Sequence, residues 1–397
     1  MLISTLPQNE GERAALARSH QLTELVWTPV RDVPTYIKKK NCILPAGVPL
    51  KGFPYSSTEK TDKFITENVQ IRTFLSAIRN PHSKLYQPGQ GAYYTCNYGI
   101  VCNGLARYAF GIPYRVSTVH WEDIPGMRRV ADRGCYKAED IRLLDVLYAF
   151  GEGRNHVALI TDILKDEDGV IREIEVSDAA RPTCRRVRFG VDEFFEKWKL
   201  FHLDRYEYLA AVPPVCEADA DLLRDYVDGA APNAIEVDGG DFSNYLLGEI
   251  AVISTFTEGE DTVEIYRGGE VVESYDVSGN SVRSFEPEVC GYYTARLKEN
   301  GAEVQFAFLR AKTDFKIEGD TITVTADPCD EKSEIHYMDF RVPGESPRSL
   351  AKYEVLTEQE KKSGVITRTI PSDAGSFKVY YKNAYGIWTH PLTPMDQ

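Results

Sequence analysis

The chain has 397 residues, 43% of them apolar, and carries a net charge of −14. That length accommodates about two to four domains, and no apolar run reaches the roughly 18 residues of a membrane-spanning helix. The acidic excess lies in the C-terminal half: residues 211–397 hold 34 acidic and 17 basic side chains, residues 1–210 hold 26 and 29. Such a balance argues against nucleic-acid binding, which needs Lys and Arg to neutralise phosphates.

In chain order, Glu10–Thr23 reads as a helix and is followed by a Pro-rich stretch at Pro29, Pro34 and Pro45. Residues 46–210 mix helix and strand signals. Helices are expected at Glu67–Ile78, Asn103–Phe110, Ile141–Tyr148 and Val191–Lys199, and strands at His156–Leu164, Val170–Val176 and Tyr206–Val212. Asp166-Glu-Asp-Gly169 is a turn signal that makes the first two strands a hairpin. A short helix is expected at Ala218–Tyr226, after Pro213-Pro214. Strand patterns dominate from there on: Thr262–Tyr266 and Val271-Val272 flank an Arg267–Glu270 turn, and Gly291–Leu297, Asp314–Ala326 and Gly375–Tyr381 alternate with period 2.

Chemistry concentrates at Cys102. It stands where the apolar run Tyr98–Val101 gives way to a helical pattern closed by Gly111. A helix N-terminus stabilises a thiolate, the form that attacks. Asn103 and Gly104 leave room around the sulfur. His156 opens a strand 54 residues later, after a polar, Gly-rich approach, and an imidazole there can take the thiol proton. A lone cysteine is more often a small buried hydrophobe, but one at a helix start, with a histidine at a strand edge, makes a nucleophile and a base.

These residues carry a family resemblance. Gly52-Phe-Pro54-Tyr55, Cys102-Asn103-Gly104-Leu105, Leu144-Asp145, His156-Val157-Ala158 and the hairpin partner Ile174–Ala179 follow one another in the order of the NlpC/P60-type papain-like cysteine peptidases. Residues 46–210 resemble that family, although Val101 and Asn103 stand where it has an acidic residue and Ser. The resemblance implies a Cys102–His156–Asp178 set, in which Asp178 orients the imidazole; Ser177 and Glu175 are alternatives for that role. It implies substrate contacts from Tyr55 beside the nucleophile. Asn103, Ser177, His120 and Trp121 are further candidates for lining the cleft, packing being the plainer role of Trp121. The insertion between Tyr55 and Cys102, with Phe64–Pro81 and Tyr93-Tyr94, is expected to cover the cleft.

The expected architecture is an α+β papain-like (NlpC/P60-like) domain followed by two all-β immunoglobulin-like sandwich domains. Residues 1–45 would be a helical and irregular extension packed on a catalytic domain at 46–212, with β domains at 213–310 and 311–397. The expected activity is cleavage of an amide bond in a peptide or peptidoglycan fragment outside the cytoplasm, with the β domains contacting wall or protein. A fold retained as an inactive scaffold, and an acyltransferase or thioesterase, are the alternatives. No cofactor or metal is expected. The chain has no H-e-x-x-H, C-x-x-C or P-loop pattern, Gly151-Glu-Gly153 leads into a strand rather than a helix, and Asp219-Ala-Asp221 lacks the rest of a calcium loop. The eight cysteines are scattered and read mostly as free thiols.

Overall fold

Antiparallel strand pairing dominates the computed structural model. It describes residues 2–37, 40–56, 74–75, 77–81, 83–86, 98–112, 118–124, 126–151, 154–212, 233–237, 251–289, 291–299, 302–308, 312–327, 334–341, 353–370, 372, 375–382, 388–389 and 392–394. The chain divides into two compact units: Met1–Thr66 with Leu85–Asp228, and Glu67–Lys84 with Gly229–Gln397.

The first unit is built on one sheet. Its strands lie in the order Cys184–Gly190, Ile171–Ala179, His156–Lys165, Val146–Ala149, His202–Tyr206 and Met127–Ala131. Ile3–Ser4 adds to the His156 strand beside Leu164 and Lys165. The hairpin between His156–Lys165 and Ile171–Ala179 closes because Asp166 accepts the N–H groups of Asp168 and Val170, at 3.0 and 2.9 Å, while Gly169 takes φ +79°. One face of the sheet buries Ala158, Ile160, Ile174 and Val176 against Phe194 and Trp198 of the helix Val191–Trp198. Alternation turns Glu175 and Ser177 to the other face. There Arg186 pairs with Glu175 at 3.0 Å and with Glu24 of the helix Glu10–Glu24 at 3.3 Å. That helix starts at Asn9, whose side chain caps Glu12 N–H at 2.9 Å. Its Gln21 receives the Tyr108 hydroxyl, at 2.8 Å, from the helix Cys102–Phe110.

A short extended segment, Gly52–Ser56, joins these parts. Gly52 and Phe53 N–H groups bond Leu25 and Leu22 carbonyls at the end of the first helix, both at 2.7 Å. The Phe53 carbonyl accepts Cys184 N–H at 2.7 Å, and the Pro54 carbonyl accepts Ile100 N–H at 2.9 Å. The segment therefore fixes the approach to Cys102 against the strand that follows Ala179. Gly52 has φ +90°, and a Cβ there would lie 1.8 Å from the Cys184 carbonyl oxygen. Gly52→Ala is expected to cost on the order of 2 kcal/mol or more, read as a lower urea midpoint by tryptophan fluorescence; an unchanged midpoint would mean the segment does not hold the unit together.

In the second unit, Ala234–Val237, Ala251–Arg267, Glu270–Phe285, Gly291–Leu297 and Glu303–Phe308 make one antiparallel sheet. Its long hairpin turns at Gly268 and Gly269, both at positive φ, the geometry that suits a two-residue connection. Lys312–Glu318, Thr321–Asp327 and Val365–Thr369 form a second sheet, and Glu334–Arg341 and Ser376–Lys382 centre a third.

This architecture corrects the expected α+β papain-like domain followed by two immunoglobulin-like sandwiches. The described residues are mostly strand, spread over several sheets, without a clear papain-like layout. The described strands of residues 233–308 belong to a single sheet rather than to two facing ones. The segment Ile141–Tyr148, expected as a helix, instead supplies the strand Val146–Ala149, buried at all four positions. A short apolar run buried on both faces has no period to separate strand from helix. The strand expected over Tyr206–Val212 lies earlier, at His202–Tyr206, and Leu209–Ala211 is a 3-10 turn. Helices form at Glu10–Glu24, Cys102–Phe110 and Val191–Trp198. Of the helix expected at Glu67–Ile78, residues 74–75 and 77–78 are helical. The rest of that segment, the Ala218–Tyr226 helix, and Tyr93 and Tyr94 of the expected cleft cover lie outside the described residues.

Candidate active site

Cys102 is the first residue of its helix. Val101 is the N-cap, in extended conformation, and its carbonyl accepts Leu105 N–H at 3.1 Å. Gly111, at φ +63°, ends the helix in a left-handed cap. All nine helical residues are buried, and Cys102 is a free thiol with 6% of its surface exposed. Its sulfur lies within side-chain hydrogen-bonding reach of His156 and faces the backbone N–H groups of Val157 and Asn103.

His156 Nε2 meets Asp178 Oδ2 at 2.9 Å. A carboxylate only accepts, so the proton on this bond belongs to Nε2, which leaves Nδ1 for the thiol. The pairing of Leu159 with Ser177 explains why Asp178 is the partner: alternation puts Asp178 on the face of Ala158 and His156. Ser177 is buried on the other face and bonds Thr161 Oγ1 at 2.9 Å. Glu175 is engaged by Arg186 and Thr161. Neither alternative orienter faces His156. The imidazole lies nearly parallel to Trp198, with ring centroids 6.3 Å apart and planes at 12°, and Phe201 meets it edge-on.

The electrostatics follow from these contacts. Burial would push the Cys102 thiol up, but the bond to His156, the imidazolium charge and the two backbone N–H groups outweigh it and bring the thiol below its ordinary value. Burial would push His156 down, and the Asp178 and Cys102 contacts instead raise it to about 10. Burial likewise opposes ionisation of Asp178, whereas His156 and Arg185 hold it below the usual carboxylate range. The side chains thus alternate along the site: a thiol whose ionisation is favoured, an imidazole held protonated, a carboxylate and a guanidinium.

The other expected contacts divide. Tyr55 is half-buried and bridges to Ile100, two residues before Cys102, with the Arg181 guanidinium 5.4 Å from its ring centroid. Asn103 is buried and turns its backbone N–H to the sulfur. Ser177 and Trp121 are fully buried, which removes both from contact with a solvent-borne substrate. The side chain of His120 lies outside the described residues. Arg185 and Trp198 were missed: both depend on the turn at residues 180–183 and on helix placement, and no sequence motif marks them. Among the described residues, no group of three or more His, Cys, Asp or Glu is placed to hold a metal ion, and no helix is long and apolar enough to cross a membrane.

No protein-family model and no curated protein matches the chain. Among solved structures, the chain is similar to Escherichia coli alpha-2-macroglobulin spanning domains NIE-MG1, at 8% identity and TM-score 0.20, covering 38% of this chain and 93% of that one. A longer form of the same protein, MG0-NIE-MG1, gives 7% identity and TM-score 0.19 over 71% and 90%. A Bacteroides vulgatus beta-glycosidase gives 12% identity and TM-score 0.16 over 47% and 27%. Likenesses this distant assign neither fold nor activity.

Proposed function

We propose that the protein is a cysteine hydrolase that cleaves an acyl bond, an amide in the first instance, through Cys102, His156 and Asp178. The observation that carries this reading is the placement of the Cys102 thiol beside His156, which itself holds Asp178 at 2.9 Å, with the thiol lowered and the imidazole raised. A structural cysteine has no need of a charged partner, and burial alone leaves its thiol inert.

In the reaction, the Cys102 thiolate attacks the carbonyl carbon and forms a C–S bond. The oxyanion that develops lies beside the backbone N–H of Cys102, a helix-start donor outside the intrahelical ladder. Collapse breaks the C–N bond as His156 gives its Nδ1 proton to the departing amine. Water then attacks the thioester, His156 takes a proton from it, and cleavage of the C–S bond releases the acid and restores the ion pair. Asp178 keeps the ring in the tautomer and orientation that both steps need.

The substrate to test first is the cell-wall peptide that the NlpC/P60 resemblance implies. The full chain and its Cys102→Ala variant are each incubated with defined peptidoglycan fragments and with p-nitrophenyl acetate, and products and protein mass are recorded. The expected result is release of product by the wild type, an acyl adduct on the Cys102 peptide, and loss of both in the variant. Identical behaviour of the two proteins would end the hydrolase reading.

A further inference from the structure

We propose that Arg185 is a positioning residue for this site: its guanidinium locks the Asp178 carboxylate against His156 and offsets part of that carboxylate's charge. The inference rests on the hydrolase reading above. Arg185 stands directly opposite Asp178 in the antiparallel pair. It donates from Nε to Oδ1 at 2.8 Å and from Nη2 to Oδ2 at 3.2 Å, a two-point grip. The oxygen that receives Nη2 is the one that receives His156 Nε2. A planar fork on both oxygens fixes the plane of the carboxylate as well as its distance, which a single bond cannot do.

Charge gives the second half of the argument. The titratable groups that act most strongly on the imidazole are Asp178, from the neighbouring strand, and Cys102, from its helix. Those facing the carboxylate are His156, Arg185 and the neutral buried thiol of Cys184. Arg185 is the fixed cation bonded to this carboxylate. An unopposed carboxylate would hold the imidazolium too tightly, and His156 must release its proton to the leaving group. The Arg185 side chain is half exposed, 51%. Its loss therefore leaves little buried surface unfilled, and the substitutions report on the site rather than on folding.

Three proteins separate geometry from charge: wild type, Arg185→Met and Arg185→Lys. The His156 midpoint is followed by NMR of protein labelled at histidine Cε1, with His156→Gln giving the assignment. Burst acylation by p-nitrophenyl acetate is followed in parallel. In Arg185→Met the His156 midpoint is expected to rise by roughly half a unit or more; in Arg185→Lys, which keeps the charge, it stays at the wild-type value. Acylation is expected to slow by about 10-fold in both, because neither side chain grips both oxygens. An unchanged or lowered midpoint in Arg185→Met, or an undiminished acylation rate in both variants, would reduce Arg185 to a surface ion pair. Failure of the hydrolase reading has a different signature: wild-type Cys102 would react with iodoacetamide no faster than Cys135, whatever stands at position 185.

Discussion

His156→Gln is expected to slow the reaction of Cys102 with iodoacetamide about 100-fold at pH 6.5. Glutamine keeps a donor for Asp178 and much of the volume, so the change removes chiefly the base. In the wild type the thiol lies low because the imidazolium sits beside it, and the pair persists until His156 loses its proton near pH 10. Without that charge, burial dominates and the thiol rises above its ordinary value, leaving about 1% thiolate or less at pH 6.5. The sign of the pH dependence follows. The wild-type rate is expected to rise less steeply with pH across the neutral range than that of the variant, which climbs about tenfold per pH unit up to pH 9. Acylation by p-nitrophenyl acetate should fall by a factor of roughly 1,000, since one group serves as both acid and base. Peptide-resolved mass spectrometry separates Cys102 from Cys135, which is exposed, and from Cys184, which is buried. A wild-type rate that itself climbs tenfold per unit through neutrality would show that no ion pair exists.

Parts of this site were legible without coordinates because they rest on local chemistry. Cys102 is announced by the change from apolar run to helical pattern and by the small residues after it; His156 by its place at the head of a strand. Asp178 needed the register, and the register hangs on particulars: a tight turn at Asp166–Gly169, and bulges between Ile160 and Asp162 and between Leu164 and Lys165. One residue of slip would have turned Ser177 toward the imidazole instead. Arg185 lies across a second turn whose length no pattern fixes. The fold was less legible. Leu143 to Ala149 is apolar but for Asp145, so nothing in its spacing forbade a helix. In the C-terminal half, alternation reveals strands but not which strands share a sheet, and the long hairpin Ala251–Phe285 draws into one sheet what spacing alone would divide between two.

Asp145→Ala is expected to destabilise the first unit by about 3–5 kcal/mol. Asp145 is 1% exposed and receives Arg205 on both oxygens, at 2.7 and 2.8 Å. It also accepts Arg142 N–H at 2.7 Å, and its own carbonyl holds Ile160 N–H at 2.9 Å. The residue before it, Leu144, has φ +66°, a strained conformation for a branched side chain, held by its N–H on the Ile160 carbonyl. Asp145 thus begins the strand that pairs with His156 and anchors a backbone that would otherwise relax. Its truncation leaves the Arg205 charge, 14% exposed, without its carboxylate. Burial raises the Asp145 carboxyl above its ordinary range even with Arg205 beside it. Desolvation therefore outweighs the attraction, and the pair specifies geometry more than it stabilises. Two consequences separate this account from one in which the ion pair is a net gain. Stability from this group falls as pH rises from the ordinary carboxylate range to the raised folded value, and mild acid does not remove it. The double variant Asp145→Leu/Arg205→Met, which refills the space with apolar volume, should recover more than half of the loss of Asp145→Ala. Hydrogen exchange of the peptides spanning Val146–Ala149 and His202–Tyr206, followed in urea, reads both consequences in the first unit alone. A double variant as unstable as the single one would show that the charges themselves hold the sheet together.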